Sequence, residues 1–153
     1  MLGKNTNNSG FTLLELMIAT AILVIAIAGL LATFAGLSSL NENSGKLSLA
    51  IIATQDKMEE IRDSDFSALF SSYNNTNFNP GGFPSSEAMG NVYIDNTDPD
   101  LLEVYVSVSW RERSNRIIGE DANLNGSLDS GEDSNSDGRL TSPAEVVTLI
   151  GER

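Results

Sequence analysis

Residues 11–37 read FTLLELMIATAILVIAIAGLLATFAGL, and this stretch decides the fold. It is apolar apart from threonines and one charge, Glu15. A helix of this length crosses a hydrocarbon core of roughly 30 Å. The residues before it, Met1 to Gly10, are polar, carry one charge (Lys4) and contain no apolar stretch. An ordinary secretory signal keeps its small-residue cleavage site after the apolar run. Here the small residue, Gly10, stands directly before the run, which points to a cut at the near end of the span.

The helix is predicted to continue beyond the membrane. Leu40, Leu47, Ile51, Met58 and Ile61 recur mostly at three- and four-residue spacings, with Ser44 and Thr54 completing the register. Lys46, Gln55, Lys57, Glu59, Glu60 and Arg62 fall elsewhere on the wheel, so the pattern is an amphipathic stripe. The expected helix runs from about Thr12 to Ile61 and ends near Asp63–Ser64–Asp65, with Asn41 to Gly45 its weakest segment. Phe66 to Phe70 suggests a short helical turn, and Ser71 to Gly90, rich in Ser, Asn, Gly and Pro, reads as a loop. Asn91 to Asp95 is a short strand candidate. Leu102, Val104, Val106, Val108 and Trp110 alternate with Glu103, Tyr105, Ser107, Ser109 and Arg111, a clear strand pattern. Arg116 to Gly119 and Val146 to Ile150 are two further short strands. The fold class expected is α+β, a long helix packed on a small, mostly antiparallel sheet. The organisation is a leader at 1–10, a membrane helix at 11–37, its amphipathic continuation at 38–65 and a head at 66–153, with an acidic insert at 120–145.

Composition narrows the chemistry. The net charge of −12 argues against nucleic-acid binding, which needs clustered Lys and Arg. The chain has no cysteine and no histidine, so disulfides and Ser-His-Asp or Cys-His catalytic arrangements cannot be built. No enzymatic activity is expected.

The string Gly10-Phe11-Thr12-Leu13-Leu14-Glu15-Leu16 resembles the N-terminal signal of type IV pilins and pseudopilins. The resemblance implies that prepilin peptidase, a membrane aspartyl protease, cuts between Gly10 and Phe11 and that Phe11 becomes the N-methylated terminus. It implies assembly with other pilin or pseudopilin subunits through packed helices, Glu15 matching the family's glutamate. The physics agrees: a carboxylate in a membrane helix costs up to ~3 kcal/mol, and a neighbouring subunit's terminal amine would compensate it. Ala28, Ala32 and Gly36 form a row of small residues that lets helices approach closely. Major pilins often carry a proline in this helix, whereas the first proline here is Pro80. The segment Ala53–Arg62 and the strand Val104–Trp110 are similar to minor subunits, namely the type IV pilus modification protein class and the minor pseudopilin I class of type II secretion. The implied location is the bacterial inner membrane, single pass, with the N-terminus cytoplasmic and the head outside, and then a pilus or periplasmic pseudopilus.

The acidic insert carries its own motif. Asp121, Asn123, Asn125, Ser127 (by its carbonyl), Asp129 and Glu132, with Gly126 at the bend, fit the oxygen positions of a calcium-binding EF-hand loop. Asp133, Asn135, Asp137 and Arg139 (by its carbonyl) repeat the pattern twelve residues on. Ala144 holds the position of the closing glutamate there, and Glu145, one residue late, is the expected substitute. Leu128 is expected to point into the core. No amphipathic helix flanks either loop, so the pattern resembles tandem structural calcium loops such as those of dockerins. The expected role of calcium is a staple replacing disulfides. The sequence thus reads as a minor pilin or pseudopilin. The alternatives are a filament-tip adhesion or cargo-binding subunit, and a signal-anchored calcium-binding protein that does not assemble.

Overall fold

One helix, α1 (Leu13–Arg62), runs through both of the units into which the chain divides, with the boundary between Asn41 and Glu42. The structure is a computed structural model that describes residues 11–152, apart from the side chains at positions 38 and 39. In the first unit α1 is apolar on every side, and every side chain from Phe11 to Leu37 is exposed. A helix that is hydrophobic all round requires an apolar surrounding, and this one is long and apolar enough to cross a membrane. Thr12 caps its start. The Thr12 hydroxyl accepts the Glu15 N–H at 3.2 Å, and the Thr12 carbonyl accepts the Leu16 N–H at 3.1 Å. Together they satisfy donors that the first turn leaves open.

In the second unit α1 becomes one-sided. Ala50, Ala53, Thr54, Met58 and Ile61 are buried, and Leu47 is half-buried. The stripe therefore differs from the sequence expectation: Ile51 is 37% exposed and Ser44 is exposed. Ala50 and Ala53 occupy the face that packs with Ala88, Val108, Trp110 and Ala144, and Ile51 lies off that face. Thr54, fully buried, returns its hydroxyl to the Ile51 carbonyl at 2.7 Å and so carries no unpaired polar group into the core. The last turn closes with the Asp63 N–H on the Glu59 carbonyl and the Ser64 N–H on the Ile61 carbonyl, both 3.1 Å.

A second helix, α2 (Phe66–Tyr73), then leads into β1 (Thr76–Phe78), β2 (Ala88–Asp98), β3 (Leu101–Arg111), β4 (Ile117–Ile118) and β5 (Ala144–Gly151). Every described strand pair is antiparallel. β3 is central. β2 lies along one edge, with β1 beyond it, while the other edge takes β4 at Trp110–Arg111 and β5 at Leu101–Val108. The chain between β4 and β5 is the acidic insert. It leaves and rejoins the sheet where the partner of β3 changes.

Met58, Ile61, Leu69, Val92, Ile94, Val104 and Val106 form one core cluster. Ala50, Ala53, Ala88, Val108, Trp110 and Ala144 form a second. Gly90 is needed where Phe78 crosses β2, because a Cβ there would sit 2.3 Å from the ring. Lys46 ties the helix to the strand ends, donating to the Arg111 carbonyl at 2.8 Å and pairing with Glu87 at 3.3 Å. The Trp110 indole N–H is buried without a hydrogen-bond partner.

The back of β3 departs from the expected polar-out alternation. Ser107 and Ser109, at 4% and 3% exposure, are as buried as the valines opposite. The insert lies over them: the Ser107 hydroxyl donates to the Leu140 carbonyl at 2.7 Å and the Ser142 hydroxyl to the Val108 carbonyl at 2.5 Å. Serine is a surface residue in an open sheet, but here it satisfies the chain that covers it.

Ile61 fills its site completely. Ile61→Ala is expected to cost about 2–5 kcal/mol of stability through lost contact and cavity formation. Ile52→Ala, at an exposed site on the same helix, is expected to change stability by about 0.5 kcal/mol or less. Denaturant unfolding of the full chain in detergent micelles checks both.

Candidate functional site

The insert folds as two copies of one loop. In the first, Asp121 accepts the main-chain N–H groups of Asn125 and Gly126 at 3.0 and 2.8 Å. In the second, Asp133 accepts those of Asp137 and Gly138, each at 3.0 Å. Asn123 accepts from Asn125 N–H, and Asn135 from Asp137 N–H, each at 2.9 Å. The Asn125 side chain accepts the Ser127 N–H at 2.7 Å, and Asp137 accepts the Arg139 N–H at 3.1 Å. The backbone repeats as well. φ is positive at Leu124 and Ser136 (57° and 62°) and at Gly126 and Gly138 (75° and 80°). The left-handed turn at the two glycines is the conformation that glycine adopts without strain.

The closing glutamates cross over between repeats. Glu132 accepts the N–H groups of Ala122 and Asp129, at 2.9 and 3.0 Å, which are the second and ninth positions of the first loop. Glu120 does the same for the second loop. It accepts the N–H groups of Ser134 and Thr141, at 3.0 and 2.9 Å, and the hydroxyls of both residues. Glu120, Asp133 and Asp137 bring carboxylate oxygens within 4.8 Å of one another. Sequence reasoning missed Glu120. The signal was present, since Glu120 and Glu132 each stand immediately before the leading aspartate of a repeat. Glu145, the substitute expected from sequence, lies instead 2.5 Å from Arg139. That guanidinium also pairs with Asp137 at 3.2 Å and stacks 3.9 Å over the Tyr105 ring.

The remaining first-loop residues converge on Asp129, which accepts from the Asn123 and Asn125 side-chain amides, both at 2.8 Å. The sheet holds the loop from beneath through Asn77 on the Asn125 carbonyl at 3.1 Å and Asn91 on the Gly126 carbonyl at 2.9 Å. Leu124 and Leu140 are the buried anchors, whereas Leu128 is 41% exposed and does not enter the core as expected.

The site is made of oxygen. Asp121 is 2% exposed, and burial pushes its carboxyl up, as does the nearby Glu132, against the opposing pull of the Gly126 and Asn125 amides. Burial also pushes the Glu145 carboxyl up against the attraction of Arg139. Burial acts on Glu120 too, but the hydroxyl and amide donors of Ser134 and Thr141 outweigh it and hold its carboxyl at about 2. The donor set is what a hard divalent cation takes.

At the other end of the chain, Phe11 is 85% exposed ahead of α1, and Glu15 lies in the first helical turn. Gly10 lies outside the described residues. Residues 5–31 match the family model of the prokaryotic N-terminal methylation motif. The N-terminus carries a type IV pilin-like prepilin signal. The matched segment covers the expected cut and the apolar run as far as residue 31. No curated protein and no solved structure matches the chain.

With divalent cations removed by chelation, the Glu120 carboxyl is expected to titrate at about 2, below the range of ordinary glutamates. Its folded pKa is lowered, so its contribution to stability is complete above the unfolded glutamate range and is lost as pH falls toward about 2. Carbon-detected carboxyl titration by NMR checks the value, and Glu120→Gln removes that part of the acid dependence.

Proposed function

We propose that this chain is a minor pilin or pseudopilin, a structural subunit of a type IV pilus or type II secretion filament. Its precursor is cut between Gly10 and Phe11 and its apolar helix packs with those of neighbouring subunits. The observation that carries this reading is the methylation-motif match over residues 5–31, on an apolar helix exposed on every side. The partners are prepilin peptidase, the inner membrane and other subunits. Glu15 is the one charge in the run, and removing it from water at the helix start requires a counter-charge. The new terminal amine of an adjacent Phe11 supplies one. Expression in a host with prepilin peptidase is expected to give a chain that begins at N-methylated Phe11. Mass spectrometry reads this directly, and an intact leader on the assembled protein overturns the proposal. Glu15→Val is expected to insert normally and to be depleted from sheared filaments.

The head is proposed to hold calcium as a structural ion. Asp121, Asn123, Asn125, Asp129, Glu132 and the Ser127 carbonyl would hold it in the first loop. Asp133, Asn135, Asp137, the Arg139 carbonyl and Glu120 would do so in the second. The fit rests on an oxygen-only donor set with the same hydrogen-bond scheme in both loops. A bound ion would neutralise carboxylates that otherwise repel one another, and would couple its binding to folding.

Calcium is expected to raise the melting temperature of the full chain in micelles and EDTA to lower it. An ion bound only by the folded state contributes ~2.7 kcal/mol at one hundred times Kd. Asp121→Ala is expected to remove the response of the first loop and Glu120→Ala that of the second, whereas Glu145→Gln leaves the number of bound ions unchanged. Calorimetry with calcium counts the ions, and no heat at millimolar calcium overturns the metal reading.

A further inference from the structure

The outer edge of β5 is open. β5 pairs with β3 alone, and among the described residues no hydrogen bond outside that ladder uses the main chain of residues 145–151. Ladder parity fixes which groups face outward. The Arg111 N–H reaches the Glu87 carbonyl on the β2 side, while the Val108 carbonyl accepts from Ser142 on the β5 side. Even-numbered residues of β3 therefore bond toward β5, where their partners are also even-numbered. The N–H and C=O groups of Glu145, Val147, Leu149 and Gly151 point away from the sheet.

Edge strands are normally guarded by charge, proline, bulges or brevity. β5 is eight residues long, and Val146 to Gly151 carries no charge and no proline. Val147 and Leu149 are 44% and 60% exposed on the outer face. Beside the end of the strand is a cavity of about 710 Å³, walled by the junction of α1 and α2. Arg62, Asp63, Asp65 and Glu152 line it. Arg62 is engaged, bonding Glu59 and the Thr148 hydroxyl at 2.9 Å each. Asp63 and Asp65 are exposed and have no cationic partner among the described residues.

We propose that this edge takes an extended, basic polypeptide segment as an added strand. Main-chain bonds to Val147 and Leu149 supply affinity, and alternating side chains supply specificity. Apolar residues of the segment lie against Val147 and Leu149 on the outer face. The intervening lysines or arginines point to the side of α1, toward Asp63 and Asp65. A second copy of β5 is a poorer occupant, because it brings a strand with no cation and another pair of aspartates to a chain of net charge −12. The inference is independent of calcium and of filament assembly.

The test uses the full chain in nonionic micelles and two labelled synthetic peptides, one alternating Val and Lys and the other Val and Glu. The Val-Lys peptide is expected to bind by fluorescence anisotropy, to weaken with salt, and to slow amide exchange at Val147 and Leu149 by roughly tenfold or more. The Val-Glu peptide is expected not to bind. Val147→Pro removes an outward N–H and leaves the β3 ladder intact, and it is expected to abolish binding. The surface double variant Asp63→Asn, Asp65→Asn is expected to weaken binding roughly tenfold and flatten its salt dependence. Equal binding of the two peptides, or binding unaffected by Val147→Pro, overturns the proposal. So does protection of Val147 and Leu149 that grows with protein concentration in the absence of peptide, since that outcome is self-pairing.

Discussion

The contact on which the head depends is the seating of α1 on the inner face of β3, through Met58 and Ile61 against Val104 and Val106. The sheet is small, and two of its strands are only two or three residues long. A helix packed across its apolar face adds to the stability of so small a sheet. The same helix is an all-round apolar rod in the first unit. One continuous secondary structure thus serves two solvents, and the change occurs where its sequence passes from uniform to one-sided hydrophobicity. Ala50 and Ala53 pack with Ala88, Val108, Trp110 and Ala144, and Lys46 ties the helix to the strand ends.

The second constraint acts on the opposite face. Covering Ser107 and Ser109 turns β3 from a half-exposed strand into one buried on both sides over its C-terminal half. The cover carries a dense set of carboxylates, and among the described residues the one cation lodged there is Arg139, which spans Asp137 and Glu145 and rests on Tyr105. This arginine anchors the second loop to the sheet. The buried Asp121 carboxylate accepts the main-chain N–H groups of Asn125 and Gly126.

Much of this was legible in the sequence. The long helix and β3 were visible because their apolar residues follow the right period over many residues, and α1 ends within a residue of the expected place. β2 was read as Asn91–Asp95 and extends over Ala88–Asp98, because Gly90 and Asn96 interrupt the apolar alternation at either end. β1 was lost in a loop-like composition, since three residues carry no detectable period. On the helix, Ile51 outranked Ala50 by hydrophobicity, although it is Ala50 that lies on the face packed into the core. In the insert, the twelve-residue template places the last glutamate inside each loop, so it does not register one supplied from outside. Glu120 was invisible to it for that reason, while its equivalence to Glu132 was present in the repeat itself.

The clasp at Glu120 also has a topological effect. The Glu120 N–H bonds the Thr141 carbonyl at 2.9 Å and the Thr141 N–H returns to the Glu120 carboxylate at 2.9 Å. The two ends of the excursion are therefore tied to each other before either meets a strand. To the host sheet the whole excursion is equivalent to a tight reverse connection between β4 and β5, whatever its length. Closure entropy is met inside the excursion, where its own bonds offset it. An appendage closed at its base in this way is a portable cassette. A recipient sheet would have no gap to span, but it would have to offer the polar groups that Ser107, Asn77 and Asn91 offer here.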